Sequence, residues 1–588
     1  MLRILSNETT AEVKTSQGSQ SVQGHFGSDT KQFKYELGSA NLYTRWVNDR
    51  LSIELHSKDD DFIEEVSLTF VLKSPKSASE ISVWSESYTD EFETGMQACL
   101  PGIETQKQKR RGYWAIWIAE SSAAEGLFFG QLPPALHPLS FQYHPFRHTL
   151  KITWTVNSFV LAAGKIRLSE VEAVRGKRQP LADAWQKHWN MQINKNLAAS
   201  SRIGWLAGTE VSTPHEIREY ITSLKNIGIK PNWFAVSSSF AVTGDWLEPA
   251  DQFRRKMSDA ARSISESYCT PGLQLAPFLV SRNSKTAEQN PQWLVNTSKG
   301  TPVLVNGYPA SKDKCHVLDI TNPKVRQHIK AIFTLMQDKW GFKMFIVDRV
   351  SDVAIAGRRA DDSVPQGGLL RDAAKLIREA VGEQSLLAGM QVPLLSAPGI
   401  WNIQINSESM ASSLSDKCAL NTAETMIFRS GWNTVAWLNA PAPLPMQIFQ
   451  SQNNTAFSTL RNAVALTAGA VILTGDPRTL NNTTDLKAFL QIFRECQKGR
   501  VLIRSQFGQG VNQTLAVKNS CGRLALFNFF PKKNTVCLTD SLLKSTLGIR
   551  SILSTSEGTV FNSPEIHIGL PPWGHRFFKD FQSENSRS

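Results

Sequence analysis

The chain has 588 residues, 41% of them hydrophobic and 20% charged, with a formal net charge of +12. At about 150 residues per domain that length gives three or four domains, fewer if one is a barrel, and the apolar content suits a sizeable packed core. The excess Lys and Arg is scattered apart from Lys107-Gln-Lys-Arg-Arg111 and Arg175-Gly-Lys-Arg178, and it completes no nucleic-acid-binding signature, so a solvated basic surface is expected and nucleic acid is not.

The seven cysteines (Cys99, Cys269, Cys315, Cys418, Cys496, Cys521 and Cys537) are widely spaced, with no Cys-x-x-Cys pair. They read as free thiols of a reducing compartment and offer no zinc framework; no metal site and no cofactor is indicated. The opening Met1-Leu-Arg-Ile-Leu-Ser-Asn-Glu8 turns polar after five residues, and no run of about eighteen apolar residues occurs. A signal peptide and a membrane span are therefore not expected, and the cytoplasm is the default location.

Residues 1–190 carry short alternating runs separated by turn-forming clusters: Leu51–His56, Val66–Leu72, Gly112–Ile118 and Leu150–Val156. This is the pattern of an N-terminal antiparallel β-sandwich. Leu181–Trp189 reads as a linking helix. From about 191 to 500 the rhythm becomes strand, then helix, repeatedly. Strands are expected at Ile203–Ala207, Trp233–Ser237, Leu273–Val280, Lys343–Val350, Leu386 onward, Ile400–Ile405, Val435–Asn439 and Ala470–Gly475. Helices are expected at Pro214–Ile227, near 250–267 and at Pro323–Trp340, the last opened by Thr321-Asn322-Pro323. Eight strands with interleaved helices predict a (β/α)₈ TIM barrel. Residues 501–588 return to short strands, such as Thr514–Val517 and Arg523–Asn528, and read as a small C-terminal β-sandwich domain.

A barrel gathers its strand ends on one face, so candidate chemistry is whatever polar residue follows each strand. Lys343-Met-Phe-Ile-Val-Asp-Arg-Val350 is an apolar run with Asp348 at its end; on its own that aspartate reads first as an ordinary strand-end cap or partner of Arg349, and the rest of the chain is what turns it into a candidate. Glu408 follows the sixth strand. Two carboxyl groups on one rim are what retaining glycoside hydrolysis needs, one as nucleophile and one as acid/base. Trp205, Trp246, Trp401 and Trp437 lie near strand ends, where aromatic faces stack on sugar rings or simply pack the core. Ser237, Ser238, Asp245, Gln404 and Asn439 complete the candidate binding set.

The segment order and several motifs resemble glycoside hydrolase family 36, the α-galactosidases and related raffinose synthases. The resemblance runs through Gly244-Asp-Trp246, Pro271-Gly-Leu-Gln-Leu-Ala-Pro-Phe-Leu-Val280, Pro291-Gln-Trp-Leu294, Leu318-Asp-Ile-Thr-Asn-Pro323 and the Asp348 strand. It implies Asp348 as nucleophile and Glu408 as acid/base, an α-linked glycoside or oligosaccharide as substrate, and a possible homo-oligomer. The chain departs from the family where charged side chains grip the sugar. Ser237-Ser238-Ser239 stands for Asp-Asp-Gly, Ile346 for Lys, Gln404 for Arg, and Trp437-Leu-Asn439-Ala440-Pro441-Ala442 for Trp-x-Asn-Asp-Pro-Asp. Losing hydroxyl-binding partners of this kind removes discrimination of roughly 10⁴ or more, so altered glycone specificity is expected. The alternative is a catalytically inactive descendant that binds carbohydrate or protein.

Overall fold

The computed structural model describes residues 3–24, 32–73, 81–86, 95–98, 110–120, 125–190, 202–208, 211, 213–253, 256–308, 313–406, 414–433, 436–451, 454–480, 483–497, 501–505, 514–519, 522–529, 532–539, 552–554, 560–561 and 565–580. The N-terminal part is one antiparallel sheet of fourteen strands. Its strands alternate as the sequence does: in Arg50–Ser57, Leu51, Ile53 and Leu55 are buried. One face packs these residues with Leu68, Phe70, Phe141, Ile152 and Trp154 into a core of its own. The other face is partly wetted, as in many antiparallel sheets, and partly packed into the main core through Trp84, Trp117 and Phe128.

The middle of the chain is a parallel barrel. Its strands are Ile203–Leu206, Trp233–Val236, Thr270–Leu275, Met344–Val347, Leu386–Met390, Ile403–Asn406, Leu438–Pro441 and Val471–Thr474. The seventh strand is interrupted, and its continuation Leu444–Pro445 makes the closing pairs with the eighth. The third strand begins and ends earlier than the apolar run Leu273–Val280 suggested. The chain turns after Leu275, and Leu279–Ser281 forms a hairpin with Cys315–Val317 instead. The expected helix to Trp340 is α-helical over Pro323–Thr334 and widens into a π-turn over Leu335–Lys339.

The barrel strands are largely buried on both sides, and the two sides pack against different things. Leu206, Trp233, Ala235, Met344, Ile346, Ala388, Met390, Ile403, Ile405, Leu438, Ala440 and Ile472 fill the lumen as a separate cluster. Trp205, Phe234, Val236, Leu273, Leu275, Phe345, Val347, Leu387, Val471 and Leu473 pack outward into the large core beneath the helices. The strand period of two assigns each residue to one side or the other.

Six of the seven connections between successive strands carry a helix, and a further helix, Thr484–Cys496, follows the eighth strand. The exception is residues 391–402, between the fifth and sixth strands. There the ring of Trp401 lies against the fifth strand, so that a Cβ on Gly389 would meet it at 2.9 Å. Pro134, Ala135 and Trp189 from the N-terminal side border the same connection across a cleft of about 240 Å³. The C-terminal strands form a six-stranded and a two-stranded sheet around a small core that includes Leu526, Val536, Ile568 and Phe578. No helix among the described residues is long and apolar enough to cross a membrane. The described cysteines, Cys269, Cys315, Cys418, Cys496 and Cys537, are free thiols.

Candidate active site

Asp348 stands where the fourth strand ends, on the lumen side by its spacing from Met344 and Ile346. Its backbone continues the ladder, with its N–H donating to the Leu275 carbonyl at 2.9 Å. The next residue, Arg349, has φ +56°, a left-handed conformation that a long side chain rarely adopts and that clusters at functional turns. That turn brings the Arg349 N–H onto the Asp348 carboxylate at 2.7 Å. From the third strand, Gln274 donates to the other carboxylate oxygen at 3.4 Å. The Arg349 guanidinium pairs instead with Asp352 at 2.5 Å.

Asp348 is 7% exposed and forms no salt bridge within 4 Å among the described residues. Burial therefore dominates its titration and pushes the carboxyl up to about 6, against the opposing pull of the Arg349 N–H and charge, the Tyr308 phenol and the Gln274 amide. Tyr308 arrives from the connection between Ser281 and Cys315. Its carbonyl accepts from Thr243 Oγ1 at 2.8 Å, and two residues earlier the Asn306 carbonyl accepts from Arg349 at 3.5 Å. Its buried hydroxyl interacts with both Asp348 and Ser238, yet makes no aligned hydrogen bond with either. Burial first, and then the Asp348 charge, push the phenol well above its ordinary value.

The serines after the second strand divide their roles. Ser237 Oγ donates to the Gly208 carbonyl at 3.2 Å and lies 2.9 Å from Ser239 Oγ. Ser238 Oγ is buried without an aligned partner, beside Tyr308. Asp348, Ser237, Ser238, Gln274 and Tyr308 are thus the polar groups gathered at this end of the second, third and fourth strands.

The remaining candidates sit elsewhere. Trp205 packs outward under the helices. Gln404 also lies on the outward side, between the lumen residues Ile403 and Ile405, and donates to the Val392 carbonyl at 3.1 Å. Asn439 belongs to a buried network: its Oδ1 accepts from Trp437 Nε1 and from Asn406, both at 2.8 Å. Asn406 Oδ1 in turn accepts from Arg429 at 2.6 Å, and Arg429 reaches Glu86 of the N-terminal sheet at 3.1 Å. Trp437 stacks on Trp432 at 5.2 Å, and Trp432 meets Trp185 of the helix Arg178–Asn190 edge-on. Trp401 covers Gly389, as described above. Trp246 is buried against Phe240 at 5.7 Å. Asp245 accepts from the Lys285 and Thr286 N–H groups at 3.0 and 2.9 Å, binding the first turn of the helix Lys285–Gln289. These side chains hold the fold together in this structure. Glu408 lies outside the described residues.

Sequence reasoning missed Gln274, Tyr308 and Arg429. Gln274 left a signal, being the lone polar side chain in the run Gly272–Phe278. Tyr308 left none, since its segment has no periodicity. Among the described residues no group of three or more His, Cys, Asp or Glu side chains could hold a metal ion.

No protein-family model matches the chain. Solved structures match over nearly its whole length. The α-galactosidase from Lactobacillus brevis superposes with a TM-score of 0.61 at 10% identity, covering 97% of this chain and 86% of that one. The GH36 α-galactosidase AgaA from Geobacillus stearothermophilus gives 0.58 at 11% identity, covering 97% and 89%. TtGalA, the α-galactosidase from Thermus thermophilus in complex with stachyose, gives 0.56 at 14% identity, covering 79% and 99%. The chain shares the fold of these glycosidases, from the N-terminal sheet through the barrel to the C-terminal strands.

Proposed function

We propose that the protein processes α-linked glycosides by a retaining mechanism, within a barrel of residues 191–500, with Asp348 as nucleophile, Glu408 as acid/base and a glycone preference other than that of the α-galactosidases. The observation that carries this reading is the state of Asp348: an acid on the lumen side of a strand's carboxyl end, buried and outside any salt bridge among the described residues. A buried carboxyl kept only for structure is ordinarily paired, so an unpaired one in a barrel mouth is a candidate for chemistry.

In the proposed reaction ionised Asp348 attacks the anomeric carbon while Glu408 protonates the leaving oxygen. A covalent glycosyl ester results, and Glu408 then deprotonates water, or an acceptor hydroxyl, to release the sugar. The nucleophile must be ionised, so activity should fall as pH drops through about 6, the value to which burial raises Asp348. The test is a panel of aryl α-glycosides with a fluorosugar inactivator, followed by peptide mapping. Turnover abolished by Asp348→Asn, with the label on the Asp348 peptide, is the expected result; neither turnover nor label across the panel would refute it. A carbohydrate-binding module without turnover is the second reading. It draws on the way Gln404, Trp437 and Asn439, three of the sugar-contact candidates, are tied into the fold.

A further inference from the structure

We propose that Tyr308 is the positioning residue for Asp348, and that its phenol together with the Ser238 hydroxyl forms a neutral surface that selects an uncharged glycone. This deepens the glycosidase reading and rests on it for the identity of the ligand. The geometry comes from three strands and one loop. Thr243 fixes the Tyr308 carbonyl at 2.8 Å, while Arg349, next to Asp348, holds the Asn306 carbonyl at 3.5 Å. The segment Asn306–Tyr308 is thereby tied at two points, one of them to the residue that follows Asp348. Tyr308 OH and Ser238 Oγ are both buried, and neither has an aligned partner. Buried hydroxyls without aligned partners call for an explanation, and a ligand hydroxyl reaching them supplies one.

The charges around the pair point to a neutral ligand. Asp348 is faced by Gln274 from the third strand, by Tyr308 from the loop and by Arg349 on its own turn. Tyr308 is faced by Asp348, Arg349 and Ser238. The only cation in this set, Arg349, is already paired with Asp352. A glycone carrying a carboxylate would meet the Asp348 charge with no free cation among the described residues to offset it, whereas a neutral hexoside would meet hydroxyls and an amide. Held neutral by burial, the phenol acts as a donor toward the charged form of Asp348 when it swings into line, and so favours ionisation of the nucleophile.

The experiment places 3-fluorotyrosine at position 308 and follows its fluorine resonance by NMR between about pH 4 and 8, the range that brackets a raised carboxyl. The resonance should move with a midpoint near pH 6 and stop moving in Asp348→Asn. A resonance that stays flat, or still titrates in Asp348→Asn, overturns the positioning role. In parallel, Tyr308→Phe should raise the midpoint of the Asp348-linked change in thermal stability by about one pH unit; an unmoved midpoint also counts against it. Should Tyr308→Phe not fold, the fluorine probe keeps the native shape and decides alone. Adding a neutral aryl α-hexoside should then shift the resonance, and the corresponding uronide should not. Equal response to both refutes the neutral selection while leaving the glycosidase reading in place. Response to no glycoside, with titration intact, upholds the positioning role and overturns the sugar-facing half together with that reading.

Discussion

Two buried carboxylates, one in the seam between the N-terminal sheet and the barrel and one in the barrel mouth, have opposite surroundings. Glu86 is 2% exposed and meets Arg429, itself 1% exposed, in a salt bridge extended by Asn406, Asn439 and Trp437. Asp348 is nearly as buried, but has one backbone N–H, one long amide contact and a misaligned phenol. The seam invests its charges in joining two parts of the chain 343 residues apart. The mouth leaves its charge incompletely compensated, which is the state that chemistry requires and stability does not.

The sharpest way to break this comparison is Arg429→Met. It leaves Glu86 buried without its partner and should lower stability by about 3–5 kcal/mol in thermal or denaturant unfolding. The double variant Glu86→Leu/Arg429→Met should recover most of that loss; an Arg429→Met protein as stable as wild type would mean the seam is not structural. Asp348→Asn should go the other way. The folded-state carboxyl titrates at about 6 rather than 3.8, so its protonated form stabilises the protein below pH 3.8 and that stability is lost as pH rises through about 6. Wild type should therefore melt lower at pH 7 than at pH 5. Asp348→Asn should remove that slope and raise stability at pH 7 by up to roughly 3 kcal/mol, at 1.36 kcal/mol for each pH unit. Asn439→Ala comes next, with about 1–3 kcal/mol lost from stranded partners and sugar affinity unchanged in calorimetry. Asp245→Ala should be the smallest, about 1 kcal/mol for a lost helix-terminus acceptor, again without effect on sugar binding. Weakened sugar affinity in either variant would move that residue from the scaffold to the site.

The eight barrel strands were legible because each is a short apolar run bounded by turn signals, which is local information. Asp348 was legible for the same reason, being the polar residue at the end of such a run. The third strand shifted because Leu273–Val280 is apolar throughout, and nothing local marks where the chain leaves the barrel for the hairpin. The helix missing from 391–402 was not foreseen either, since its absence is made good by Trp401 and by residues from the N-terminal side.

The sequence by itself determined the order of the elements, the barrel and the position of one rim carboxylate, because these depend on composition and spacing within a few turns of chain. The tertiary structure alone decided which side of each strand faces the lumen. Strands buried on both faces have no polar alternation to read, so Gln404 and Asn439 look in sequence like Asp348 and lie on the other side of the wall. It also decided that Glu86 meets Arg429 and that Tyr308 comes near enough to Asp348 to interact with it, for such meetings depend on how distant segments close upon one another.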